Sequence, residues 1–146
     1  MPHPFPHRYE VDCVWTGGAD RCDLSSGTKP VIKGGAPAGF DGTDESLWSP
    51  EHLILAALAQ CLMATYFALN KRNPIETRAY SSKAGSVLDK TREGLVFTSF
   101  TIEVSVKVPA DRADDARKLI ELSKKYCITS NALKTAPTIE AVVETF

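Results

Sequence analysis

Ser49-Pro50-Glu51-His52-Leu53-Ile54-Leu55-Ala56-Ala57-Leu58-Ala59-Gln60-Cys61-Leu62-Met63-Ala64-Thr65-Tyr66-Phe67-Ala68-Leu69 is the stretch on which the fold turns. Ser49 has the side chain of an N-cap, Pro50 suits the first helical turn, and Glu51 puts an acid against the positive end of the helix dipole. The spacing predicts a helix from Pro50 to about Lys71 that is apolar on every face. Such a helix has to be covered all round. One sheet covers a single side, so a second copy of the chain is expected on the other, with this helix near a homodimer interface. Its apolar run is nearly long enough to span a bilayer, but Gln60, Cys61 and Thr65 interrupt it and charged segments flank it. A buried core helix is therefore expected, and no membrane partner.

Upstream, Tyr9, Val11, Cys13 and Trp15 alternate with Arg8, Glu10 and Asp12, the period of a half-buried strand over His7 to Trp15 with Cys13 facing inward. Gly17-Gly18 ends it. Short strands around Cys22–Ser25 and Pro30–Lys33 would complete a small antiparallel sheet. Gly34 to Trp48 holds four of the nine glycines and reads as a long ordered loop or lid. Trp15 and Trp48 are expected in the core or the lid.

Downstream, Thr77–Asp89 and Leu95–Val108 flank Lys90-Thr91-Arg92-Glu93-Gly94 as a long hairpin. Phe100, Ile102, Val104, Val106 and Val108 alternate with polar residues, so one face of the second arm is buried. Asp111 to Lys125 carries Ala116, Leu119, Ile120 and Leu122 among charges, an amphipathic surface helix with Cys127 in a polar turn at its end. Thr138–Phe146 is a closing strand. Strands and helices come in blocks, so the class is α+β, in a single domain over residues 1–146.

Composition narrows the functions. The chain of 146 residues has a net charge of −1, so no field of one sign exists to hold nucleic acid or an anionic membrane. Met1-Pro2-His3-Pro4-Phe5-Pro6 lacks the basic and apolar regions of a signal peptide. Four cysteines are too few for a disulfide scaffold. The expected setting is cytoplasmic, with the thiols reduced at rest. Cys13 and Cys22 with His3 or His7 do not have the spacing of a zinc site, and neither a metal nor a cofactor is expected. Cys22, next to Arg21, reads as a surface thiol.

Cys61 and Cys127 stand apart. Neither a long apolar helix nor a polar turn needs a thiol, and if the fold joins them, one sulfur can be oxidised and the other can resolve it. Ser49-Pro50-Glu51-His52-Leu53 with Ala56-Ala57 and Cys61 resembles the Asn-Pro-Glu-(Gln/Glu)-Leu…Ala-Ala…Cys motif of the osmotically inducible protein C and organic hydroperoxide resistance family (OsmC/Ohr). Cys127 with Ser130-Asn131 is similar to its second motif, Cys-Pro-x-Ser. The order of elements agrees over nearly the whole chain.

The resemblance implies an entwined homodimer, with antiparallel sheets around a long buried central helix. It also implies a cofactor-free peroxidase that reduces organic hydroperoxides to alcohols. By carry-over Cys61 is peroxidatic and Cys127 resolving, and an external dithiol, such as a lipoylated protein, resets the pair. Leu58, Leu62 and Phe67 would form apolar walls for a fatty or aromatic hydroperoxide.

Burial raises a thiol pKa, so a cation is expected beside Cys61. In the family an Arg after a Gly-Gly pair, held by the motif Glu, fills that role. Arg21 with Glu51 are the candidates, although Arg21 stands two residues later than the pattern and Asp20 competes for its charge. Helical rise puts Glu51 about 15 Å along the axis from Cys61, so a shared site would take Glu51 from the other subunit. Ile128 in place of Pro and His52 in place of Gln or Glu mark a divergent branch. Two alternatives use the same residues: an OsmC-fold protein that binds a small molecule or thiol ligand with little peroxidase rate, and a thiol–disulfide exchange protein, for which a Cys-x-x-Cys is lacking. A Cys–His hydrolase built on His52 and Cys61 fails, because nine residues along one helix keep them apart.

Overall fold

The computed structural model describes residues 3–146, which form a mixed α+β fold with two three-stranded sheets. Contacts fall into two compact units that divide between Leu53 and Ile54.

In the first unit, β1 (Asp12–Gly17), β2 (Arg21–Ser25) and β3 (Ile32–Gly34) form an antiparallel sheet in that order. The first strand starts at Asp12, five residues later than the alternation predicts, and both of its faces are exposed in the single chain. Tyr9, Val11 and Trp15 are 87, 69 and 72% exposed, and Cys13 is exposed too, which corrects the inward assignment. A period of two reports that a strand has two different faces. It does not say which element covers one of them. Trp48 is also exposed, although its backbone ties the long loop down: Gly35 N–H donates to its carbonyl at 3.0 Å and its own N–H donates to Lys33 at 3.1 Å. A turn at Ala38–Phe40 folds the loop so tightly that a Cβ on Gly42 would overlap the carbonyl of Ala36, which only glycine avoids.

The long helix α1 runs Pro50–Asn70, as predicted to within a residue. Ser49 is its cap: its hydroxyl accepts from His52 N–H at 3.2 Å and is 2.6 Å from the His52 ring Nδ1. His52 thus stands where a capping box carries Glu or Gln, but its ring meets the Ser49 hydroxyl rather than the Ser49 backbone N–H. By length and composition α1 could also cross a bilayer. What it does in this chain is bury one stripe, Leu58, Leu62 and Tyr66, against protein. Its other face is bare, with Met63 and Phe67 each 39% exposed.

The second unit is built on β4 (Ala79–Thr91) and β5 (Gly94–Val108), joined by the two residues Arg92 and Glu93, a tighter turn than the sequence suggested. Gly94, at φ +100°, supplies the backbone that this turn requires. Phe100, Ile102, Val104, Val106 and Val108 are buried as their alternation predicts. Helix α2 (Ala113–Tyr126) crosses back and delivers β6 (Thr138–Thr145) alongside β5 in parallel, so this sheet is mixed rather than antiparallel. Ala116, Ile120 and Ser123 face the core while Leu122 is exposed. A short helix, α3 (Ile128–Ala132), replaces the polar turn expected after α2.

The β5 face is the centre of this core. Ile102→Ala, at a position 1% exposed, should cost about 2–5 kcal/mol in chemical denaturation. Leu95→Ala, at the exposed hairpin tip, should stay within about 0.5 kcal/mol of the parent.

Candidate functional site

Cys61 lies on α1, one position before the buried Leu62, and packs half-buried against the core cluster. Cys127 is fully buried, at once the C-cap of α2 and the N-cap of α3. Its Sγ accepts from Ser130 N–H at 3.5 Å. The two sulfurs are near enough to influence each other's ionisation, and the start of α3, through Thr129 and the Ile128 N–H, also favours the Cys61 anion.

These donors decide the electrostatics. Burial opposes ionisation of Cys61, but the bonds from Thr129, Cys127 and Ile128 outweigh it, and the thiol falls below its ordinary value. Cys127 moves the other way: burial pushes it up and the neighbouring Cys61 adds to that, against the relief from Ser130. One sulfur is poised to ionise and the other holds its proton. Tyr80 packs on Tyr66 and Phe67 nearby, its hydroxyl buried with no partner. Burial first, then Tyr66 and Cys127, push its phenol up to about 12, so it stays protonated. Ser130 Oγ is likewise buried and unpartnered.

Within the single chain, hydrogen-bonding groups lower the Cys61 thiol. Thr129 and Ile128 carry this part, and sequence reasoning missed both. A signal was present: proline has no N–H to give, so the departure Ile128 adds a donor at the start of α3. Within the chain Arg21 faces Asp44 at 4.0 Å, with half its side chain exposed, and does not pair with Glu51. Alternation along β2 explains this. Cys22 and Leu24 face a cavity that Glu51 also lines, so Arg21 starts on the opposite face. Asp20 does not compete for it either, since its carboxylate accepts from Ala36 N–H at 2.9 Å. Glu51 Oε2 is buried without a partner. Leu58 and Leu62, expected as walls for a substrate, are 0 and 1% exposed and belong to the core. Among the described residues no cluster of three or more His, Cys, Asp or Glu side chains could hold a metal ion.

Proline fits the first position of a helix, so Ile128→Pro should fold and remove only the N–H. Iodoacetamide labelling of Cys61 near pH 7, followed on its own peptide, should slow roughly two- to tenfold, in line with one hydrogen bond of about 0.5–1.5 kcal/mol. Because a lost donor raises the thiol's midpoint, the rate should recover as pH rises. An unchanged pH profile would mean that Ile128 N–H does not hold the thiolate.

A family model described as OsmC-like protein matches residues 42–142. An uncharacterised Bacillus subtilis (strain 168) protein, YmaD, is 20% identical over 132 residues, 88% of this chain and 87% of that one. An OsmC-like protein of unknown function from Vibrio cholerae superposes with a TM-score of 0.84 at 16% identity, covering 94% of this chain and all of the other. An organic hydroperoxide resistance protein from Elizabethkingia anophelis gives 0.71 at 21% identity, over 97% of this chain and 100% of its own. Identities this low carry the fold alone, but the family match extends over more than half the chain and takes in both Cys61 and Cys127. The chain belongs to the OsmC-like protein family.

Proposed function

We propose that the protein is a thiol-dependent peroxidase that reduces organic hydroperoxides to alcohols. What carries this reading is the proximity of Cys61 and Cys127, with the first thiol drawn towards ionisation and the second kept protonated. The Cys61 thiolate attacks one oxygen of R–O–O–H, the O–O bond breaks, and the departing alkoxide takes up a proton to leave as ROH. Cys61 is then a sulfenic acid. Cys127 attacks that sulfur, an S–S bond forms, and the sulfenic oxygen leaves as water. An external dithiol, transferring two electrons and two protons, restores both thiols and is itself oxidised to a disulfide. The setting is a reducing compartment such as the cytoplasm.

The catalytic unit in this reading is a homodimer. The bare apolar face of α1 supports it, as does the buried, unpartnered carboxylate oxygen of Glu51. Glu51 would act on Cys61 only from the other subunit, and Arg21 would join it only by leaving Asp44. That engagement of Arg21 favours the second reading, a fold member that binds a small molecule or thiol ligand with little peroxidase rate. The apolar cavity of about 510 Å³ bounded by Cys22, Leu24, Phe40 and Leu53 would suit such a ligand.

Stopped-flow consumption of cumene hydroperoxide and a fatty-acid hydroperoxide, compared with hydrogen peroxide, separates the readings. Cys61→Ser should be inactive, and Cys127→Ser should complete one turnover and then stall or over-oxidise. Equal, slow consumption by the parent and Cys61→Ser would leave the binding protein. Mixing Cys61→Ser with Glu51→Ala should restore part of the activity through heterodimers that keep one intact site. A strictly additive loss on mixing would exclude a shared site.

A further inference from the structure

The first unit holds a second pair of sulfurs that the peroxidase chemistry does not use. Cys13 is opposite Leu24 and Cys22 is opposite Trp15, so the two cysteines are diagonal neighbours on one face of the β1–β2 ladder. Their thiols are near enough that Cys13 influences the ionisation of Cys22. Gly34, paired with Cys22 on β3, makes the arrangement possible: a Cβ there would come within 2.9 Å of the Cys22 sulfur. Both thiols are free, Cys13 is exposed and Cys22 half-buried, and both line the apolar cavity with Asp20 and Glu51.

We propose that Cys13 and Cys22 form a second dithiol–disulfide couple, closed across adjacent strands by exchange with a low-molecular-weight disulfide. Diagonal pairs start near the upper end of the span a disulfide bridges, with Cα atoms about 7–8 Å apart against 4.4–6.8 Å in finished bridges. The two side chains share one face of the ladder and one cavity, and the register shift between Trp15 and Gly17 leaves β1 local freedom to draw in. The exposed Cys13 attacks one sulfur of the disulfide RSSR, giving a Cys13–S–S–R mixed disulfide and one RSH. Cys22 then attacks the Cys13 sulfur, losing its proton and expelling the second RSH. In sum, two protein thiols are oxidised to one disulfide and RSSR is reduced to two RSH. Burial holds the Cys22 proton in place, with Cys13 and the nearby Asp23 and Asp20 charges adding to it, so Cys22 suits the second, intramolecular step better than the first. Closure ties β1 to β2 along the cavity wall, next to the unpartnered Glu51 oxygen.

The test removes the other couple. A Cys61→Ser, Cys127→Ser double variant keeps only Cys13 and Cys22, so the outcome is independent of the peroxidase reading. Treatment with oxidised glutathione should take both thiols to zero and release two glutathiones per chain. Trypsin cuts after Arg8, Arg21 and Lys33, so Cys13 and Cys22 fall on separate peptides, held together only if the disulfide has formed. The linked pair, lighter by two hydrogens and recovered from monomer-sized chains, is the expected result. Adding Cys22→Ser should trap glutathione on Cys13. Glutathione retained on both cysteines of the double variant, or links only between chains, would overturn the proposal. Should the double variant fail to fold, the same digest of the parent protein gives the same two outcomes.

Discussion

A sulfur buried in an apolar helix stays a thiol unless something favours its anion, and here that favour comes from the first turn of α3. Residues 127, 128 and 129 offer four groups that favour the Cys61 anion. Two of them are backbone N–H groups and a third sits on the buried Cys127, so most of the thiolate's environment is built into the fold before any ligand arrives. An Arg placed for the same task would bring a long, mobile side chain with a rotamer cost of about 2 kcal/mol. Backbone N–H groups carry none of that cost, and their direction is set when the helix forms.

The scaffold of the second unit is what keeps those donors in place. The buried face of β5 anchors α2 through Ala116 and Ile120, and α2 ends at the fully buried Cys127. The Leu58, Leu62 and Tyr66 stripe sets the rotation of α1, which turns Cys61 to the side where α3 begins. Tyr66 is fixed in turn by its hydroxyl, 2.9 Å from Thr77 Oγ1. A change in this core would therefore reach the chemistry as a displaced sulfur or a displaced N–H, and lost bonds to charged groups cost more than neutral ones.

Much of this could be read from the residues. The cap of α1 and the alternation in β5 rest on local rules, and the structure follows them. The errors share one physical origin, which is that local rules do not say what lies opposite. Cys13 alternates correctly but nothing in its chain segment covers it. The short α3 was hidden because Ile128-Thr129-Ser130-Asn131 has no strong helix former, and its N-cap is a sulfur rather than the usual oxygen. Arg21 starts on the face of β2 opposite Cys22 and Leu24, and within the chain it faces Asp44, a placement that spacing after Gly17-Gly18 alone does not reveal.

The bare side of α1 gives the dimer in our reading its shape. Ala57, Ala64 and Ala68 share the exposed face with Met63 and Phe67, so small and large residues alternate along it. Small residues let a second backbone approach, while the larger ones fill the space beside it. A copy of the same helix presents the same sequence in reverse order when it lies antiparallel, which is the self-complementarity a two-fold interface requires. In our reading Glu51 would come level with Cys61 of the other copy only where two antiparallel helices cross near Ala56, midway between the two residues.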